Sequence, residues 1–244
     1  MGRKILTADQ AFHLDPSRSA GGDGLAAETA FSSLPEAYAY VQDHLDLQGR
    51  TVTFLLADGV YAEGLSVSGG LVGGGEIHVQ GKSEDGARIE VADGGGVSNS
   101  NPLTPVYVSN VWLPSCSALF GARIYVQQGV SFMATGGDHM SATYLGMIFV
   151  VAPYAIRGQC STHIHAYTGG IITINDNTQV WPVGTLNLVR FIGVADASVV
   201  ARNLSVMGAI SCETYLVHKN GFADLENAQL PGSGRIVRTG GVVT

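Results

Sequence analysis

The chemistry-bearing side chains of this 244-residue chain gather around His139, His163 and His165, with Asp138 beside the first. His163 and His165 alternate along a presumed strand. That places both on one face, where a third ligand from another coil or chain would complete a metal site. The plainer reading is surface histidines in a Thr/Ser-rich strand, or polar groups at a subunit interface, and this is the expectation, with no cofactor. Glycoside hydrolysis would need two carboxylates roughly 5–10 Å apart. The acids Asp138, Asp176, Asp196, Glu213, Asp224 and Glu226 offer one pair near a single structural repeat, Asp176 and Asp196, 20 residues apart. Arg157, Arg190 and Arg202 would suit a lyase, but no acidic cluster accompanies them in sequence to hold calcium. Acids in turns ordinarily meet solvent or local backbone donors, so catalysis is not the expectation. Binding a glycan needs only aromatic platforms beside hydrogen-bonding groups. Tyr144, Tyr154, Tyr167 and Trp181, close to Asn175, Asp176, Asn177 and Gln179, are the candidates. Burial or intersubunit packing accounts for any one of these rings equally well.

The elements that must position these groups are mostly short strands. One helix is evident, from Ser33 to Leu45: Ser33 and Glu36 have capping-box spacing and Pro35 falls in the first turn. Leu34, Ala37, Tyr38, Val41 and Leu45 then form one apolar face. After it, Thr51 to Leu56, Val60-Tyr61, Leu65 to Val67 and Ile77 to Gln80 read as strands separated by glycine turns. An Asn or Gly turn followed by apolar, any, apolar recurs at Asn110, Gly129, Gly146, Asn203 and Asn227, with a weaker copy at Asn177. From 110 to 227 is 117 residues over five steps, a mean of 23.4, with individual steps of 17 to 31. A period of that size without helices fits a solenoid of β-strands better than a propeller blade of about 40 residues. The expectation is an all-β, single-stranded right-handed parallel β-helix with a short N-terminal capping helix. Residues 1–48 form the anchor and cap, and 49–244 the solenoid, atypical after about 230. A β-sandwich is the structural alternative.

Composition narrows the function classes. Charged residues are 14% and hydrophobic residues 45%, and the 33 glycines show no collagen period. The net charge of −7 and the lack of any Lys/Arg cluster exclude nucleic acid as a partner. The longest apolar run, Leu145 to Tyr154, is about half a membrane span, so no membrane insertion is expected, and no secretion signal is visible. Cys116, Cys160 and Cys212 are widely spaced and odd in number, as befits reduced buried thiols. The glycine runs 69–75 and 94–96 are turns, since neither has the context of a phosphate loop.

The opening of the chain resembles a known family. Asp23-Gly24-Leu25, Thr29 to Leu34, the helix, and Val52 to Tyr61 with its Asp58-Gly59-Val60-Tyr61 phrase are similar to the start of pectate-lyase-like β-helix proteins of bacteriophage tail fibres and tailspikes. The likeness covers about residues 5–90; beyond that it is one of repeat character. It implies a virion protein assembled in the host cytoplasm, a homotrimer that meets bacterial surface polysaccharide. Met1-Gly2-Arg3-Lys4 would reach other virion proteins. Rings in excess of one solenoid interior, such as Trp112, Tyr125, Tyr144 and Trp181, suit lateral packing of identical chains. The expected function is a fibre or spike module for attachment and host-surface recognition. The alternatives are a polysaccharide hydrolase or lyase on the same fold, and an architectural anchor of a longer fibre.

Overall fold

The computed structural model describes residues 2–83, 86–90, 95–238 and 240–244. Met1 of the N-terminal segment and Gly94 of the glycine run 94–96 lie outside the described residues. The chain is a right-handed parallel β-helix. A first sheet of ten strands runs from Gln10–Leu14 through Val106–Ser109 and Met147–Val150 to Val242–Val243. A second sheet of seven runs from Gly59–Tyr61 to Ser205–Val206, and a third of eight from Leu65–Val67 to Gly234–Val237. The pairings among described strands are parallel, because each coil visits the three sheets in turn and lies on the one before, which a β-sandwich of antiparallel strands does not do.

Register turns the sequence repeat into geometry. Val106, Ile124, Ile148, Ile172, Val199 and Ala223 stand directly above one another in the first sheet, and each is fully buried. These 117 residues over five coils give the same mean of 23.4. Each such column makes a continuous apolar core, and a fully buried Val or Ile contributes about 1.5–3 kcal/mol. At the corner from first to second sheet the backbone turns left-handed at Asn110 (φ 50°), Gly129 (72°), Asn177 (63°), Asn203 (52°) and Asn227 (54°). Asn and Gly tolerate this region best, which is why the repeat is visible in sequence. Gly146 is out of phase. It belongs to the corner from third to first sheet, and Pro153 occupies the matching position in its coil.

Residues 2–48 cap the solenoid and also supply its first strand, Gln10–Leu14, paired with Thr51–Leu56. Helix α1, Leu34–His44, buries Leu34, Ala37, Tyr38 and Val41 over the open end of the core, and the Tyr38 hydroxyl donates to the Ser68 carbonyl at 2.7 Å. The Ser33 hydroxyl accepts from the Glu36 N–H at 3.3 Å, while the Glu36 carboxylate accepts from the N–H groups of Ser32 (2.8 Å) and Gly21 (2.6 Å). Those donors hold the Glu36 carboxyl below its usual range against the opposing effect of burial. Ser33→Ala should cost about 1 kcal/mol in urea unfolding, the worth of a helix N-cap. Lys4–Ile5 pairs with Leu45–Asp46 and Arg3 donates to the Gln42 carbonyl, so the N-terminal residues fold back along the cap. Among the described residues no helix is long and apolar enough to cross a membrane.

Candidate functional site

The histidines separate into two groups, which corrects the single-face reading. The strand Thr162–Tyr167 buries Ile164 and Ala166 by ordinary alternation and buries His163 as well. His163 therefore enters the core, and His165 stays on the outer surface.

Inside, His139 and His163 are fully buried and their Nδ1 atoms lie 2.8 Å apart. The His139 Nε2 is 2.8 Å from the Met133 carbonyl, and the His163 Nε2 is 2.8 Å from the Tyr154 hydroxyl. A carbonyl only accepts, so His139 must donate from Nε2 and, when neutral, accept at Nδ1. His163 then donates from Nδ1 and accepts at Nε2 from Tyr154. Every proton in the chain is thus assigned and every link satisfied. Phe132 and Phe191 wall it, with ring centroids 5.4 and 5.1 Å from His139 and His163. Burial pushes the His139 pKa down to about 4 and that of His163 well below its ordinary value.

His139, Cys160 and His163 bring ligand-type atoms within 4.8 Å of one another. Two nitrogens bound to one tetrahedral zinc would stand about 3.4 Å apart, farther than the 2.8 Å of this pair. Burial pushes the Cys160 thiol up to about 12. The 2.8 Å contact is that of a hydrogen bond between the two rings. His165, the third ligand candidate, faces away from it.

The other candidates do not converge. Tyr154 is buried with its hydroxyl committed to His163, so it offers no platform to a glycan. Tyr144 stands at the third-to-first corner, Trp181 in the second sheet, Tyr167 in the third, and Asn175 and Asn177 at the first-to-second corner. Asp176 and Asp196 occupy different corners, because a coil here is 24–27 residues and 20 falls short of one turn. Asp196 instead accepts from the N–H and side-chain amide of Asn220 in the next coil, at 3.3 and 3.2 Å. Asp224 pairs directly with the Arg202 guanidinium and raises its pKa, to which Asp176 adds least.

The polar groups that do gather lie on the outer face of the third sheet. Ser66, Ser98, Ser117 and Ser141 stack in register, and the column continues to His165 and Gly193. Stacked strands set these hydroxyls about 4.8 Å apart. The Asp138 carboxylate accepts from the Thr162 N–H at 3.0 Å and lies 2.6 Å from the His165 Nδ1. It therefore fixes the tautomer in which neutral His165 keeps its lone pair on Nε2. Gly193 lies beneath the ring: a Cβ there would be 3.1 Å from the His165 Cδ2, so the strand gives up a side chain where the imidazole edge rests on it. Tyr167, 4.8 Å from the His165 ring, and the Arg190–Glu213 ion pair at 2.8 Å flank the site. This pair gives Arg190 an acidic neighbour that linear spacing concealed. Beside Asp138 opens a shallow depression of about 230 Å³, lined by Ser115, Ser117, Thr135, Gly137 and Ser141.

Sequence reasoning named Asp138, His165, Tyr167, Arg190 and Glu213 separately and missed the serine column. Its signal was a serine between small or apolar residues, in Leu65-Ser66-Val67, Val97-Ser98-Asn99, Cys116-Ser117-Ala118 and Met140-Ser141-Ala142. Comparison of the chain with family models, curated proteins and solved structures gives no match.

Proposed function

We propose that this chain is a fibre or spike module of a virion, working as a homotrimer, and that it recognises bacterial surface polysaccharide through the outer face of its third sheet. The observation that carries recognition is the serine column ending in the Asp138–His165 pair beside the hydroxyl-lined depression. Hydroxyls and a carboxylate on rigid strands match the donors and acceptors of a sugar, and Tyr167 adds an apolar edge. The virion setting is supported by the family-like opening together with the β-helix fold. Residues 1–48 would then serve docking to other virion proteins.

A second reading, hydrolase or lyase, has one observation in its favour: an imidazole oriented by a carboxylate is the usual form of a general base. Purified protein should bind one member of a panel of immobilised capsular polysaccharides and lipopolysaccharides. Asp138→Ala and Ser141→Leu should each weaken that binding at least about tenfold with the far-UV spectrum unchanged, the first by loss of a charged hydrogen bond and the second by loss of a hydroxyl together with added bulk on the binding face. If folded wild-type protein binds no polysaccharide and no intact cells, recognition falls and the architectural anchor takes its place. New reducing ends or unsaturated uronates in the same incubation would move the assignment to the enzyme.

A further inference from the structure

The first sheet presents an outer face unlike the serine-bearing third. His78, Tyr107, Tyr125 and Phe149 occupy one register column, with consecutive ring centroids 4.4, 4.5 and 5.0 Å apart, and the column continues as Thr173 and Val200. Rings stacked on one another cover their own faces and leave a ridge of edges pointing outwards, a poor platform for a sugar. The neighbouring column is Arg123, Met147, Ile171, Ser198, Phe222 and Val242, of which Ile171, Phe222 and Val242 are 38%, 37% and 50% exposed. The adjoining corner adds Phe120 and Tyr144, stacked at 5.2 Å, and Leu145, which are 59%, 50% and 68% exposed.

These corner residues are strained as well as exposed. Phe120, Tyr144 and Leu145 have φ of 53°, 49° and 66°. A bulky side chain in the left-handed region costs about 1–2 kcal/mol where glycine or asparagine would cost less. Within a single chain no burial offsets that cost. Strain combined with a large exposed apolar patch marks a surface that is covered by something.

We propose that the outer face of the first sheet, anchored by the Phe120–Tyr144–Leu145 corner, is where identical chains associate side by side in a cyclic oligomer. Three features point to a second copy as the occupant. The apolar groups repeat along the solenoid axis at the strand spacing of about 4.8 Å, and a parallel copy repeats at the same spacing. Over the four coils between Arg123 and Arg202 the outward strand positions carry no charged side chain, with Glu76, Asp196 and Lys219 towards the ends and corner of the strip, so the centre of the face is neutral although each chain carries −7. Seven coils of about 4.8 Å by a strip some 20 Å wide present about 700 Å², close to the roughly 800 Å² per partner of a stable interface. The inference deepens the trimeric part of the proposed function and is independent of glycan recognition by the third sheet.

Static light scattering of the full chain tests it. Wild-type protein should run as an oligomer at micromolar concentration. Phe120→Asn/Leu145→Asn should self-associate at least tenfold more weakly while folding as stably per chain, because asparagine accepts the left-handed backbone. Phe149→Lys should dissociate the oligomer through the sheet face. A monomeric wild type overturns the proposal, and so does an oligomer that all these variants leave intact. A wild-type oligomer that binds no polysaccharide would leave the interface standing and remove recognition alone.

Discussion

His163→Leu is expected to destabilise the protein by about 2–5 kcal/mol. The substitution removes the central link of a buried chain, leaving the Tyr154 hydroxyl without its acceptor and the His139 Nδ1 without its donor. Each orphaned polar group costs about 1–3 kcal/mol once water cannot reach it. The same chain makes the fold acid-sensitive. Unfolded, each imidazole takes up a proton below about 6.5; folded, His139 resists until about 4 and His163 to lower pH still, because burial disfavours the cation. The stability from both groups is fully present above pH 6.5 and is lost as pH falls towards 4, since the unfolded chain binds the protons that the folded chain refuses. By pH 5.5, where carboxylates are still ionised, the loss is about 1.4 kcal/mol per histidine. Urea unfolding at pH 7.5 and 5.5 should therefore show wild type losing about 1.4 kcal/mol more than His163→Leu. Equal losses in the two proteins would remove the buried pair as the cause.

The solenoid was legible because two requirements coincide in its sequence. Interior columns demand an apolar residue at alternate positions, and the first-to-second corner takes a left-handed residue in five coils, at Asn110, Gly129, Asn177, Asn203 and Asn227. The third-to-first corner makes the same backbone demand of Phe120, Tyr144, Leu145, Thr168, Asp196 and Lys219. Apart from Asp196 those residue types carry no turn signal, so that corner stayed hidden and Gly146 was read into the wrong phase. Faces were lost for a related reason. His163 is buried, against the period of two that would keep it with His165. Glycan candidates chosen by proximity in sequence scattered, since residues a few positions apart in a β-helix fall on different sheets, while true neighbours are a whole coil away. The serine column shows the converse: Ser66, Ser98, Ser117 and Ser141 are neighbours in space at sequence steps of 32, 19 and 24, because the loops between strands differ in length.

Asn99→Ala should cost about 3–5 kcal/mol, although an asparagine ending a three-residue strand looks replaceable in the sequence. Its side chain is fully buried where the chain leaves Val97–Asn99 of the third sheet for Val106–Ser109 of the first. Nδ2 donates to the carbonyls of Thr104 (2.8 Å) and Arg123 (2.9 Å), and Oδ1 accepts from the Asn101 N–H at 2.9 Å. One amide thus closes the corner 99–104 on itself and ties it to the following coil. Asn101 extends the network, its Oδ1 accepting from the Leu103 N–H at 3.0 Å and its Nδ2 donating to the Thr104 hydroxyl at 3.1 Å. Alanine would orphan two buried backbone groups and a part-buried one and leave a void in the side chain's place, each a mechanism of destabilisation. Asn99→Asp keeps the acceptor for Asn101 but loses both donors and turns a carboxylate towards two carbonyl oxygens, so at neutral pH it should be worse than alanine. Urea midpoints for the two variants, read with the slope to confirm a single transition, decide the matter. Because each coil of a solenoid rests on its neighbours, a break at this corner should lower the stability of the whole stack, and losses below about 1 kcal/mol would show that the corner holds without the amide.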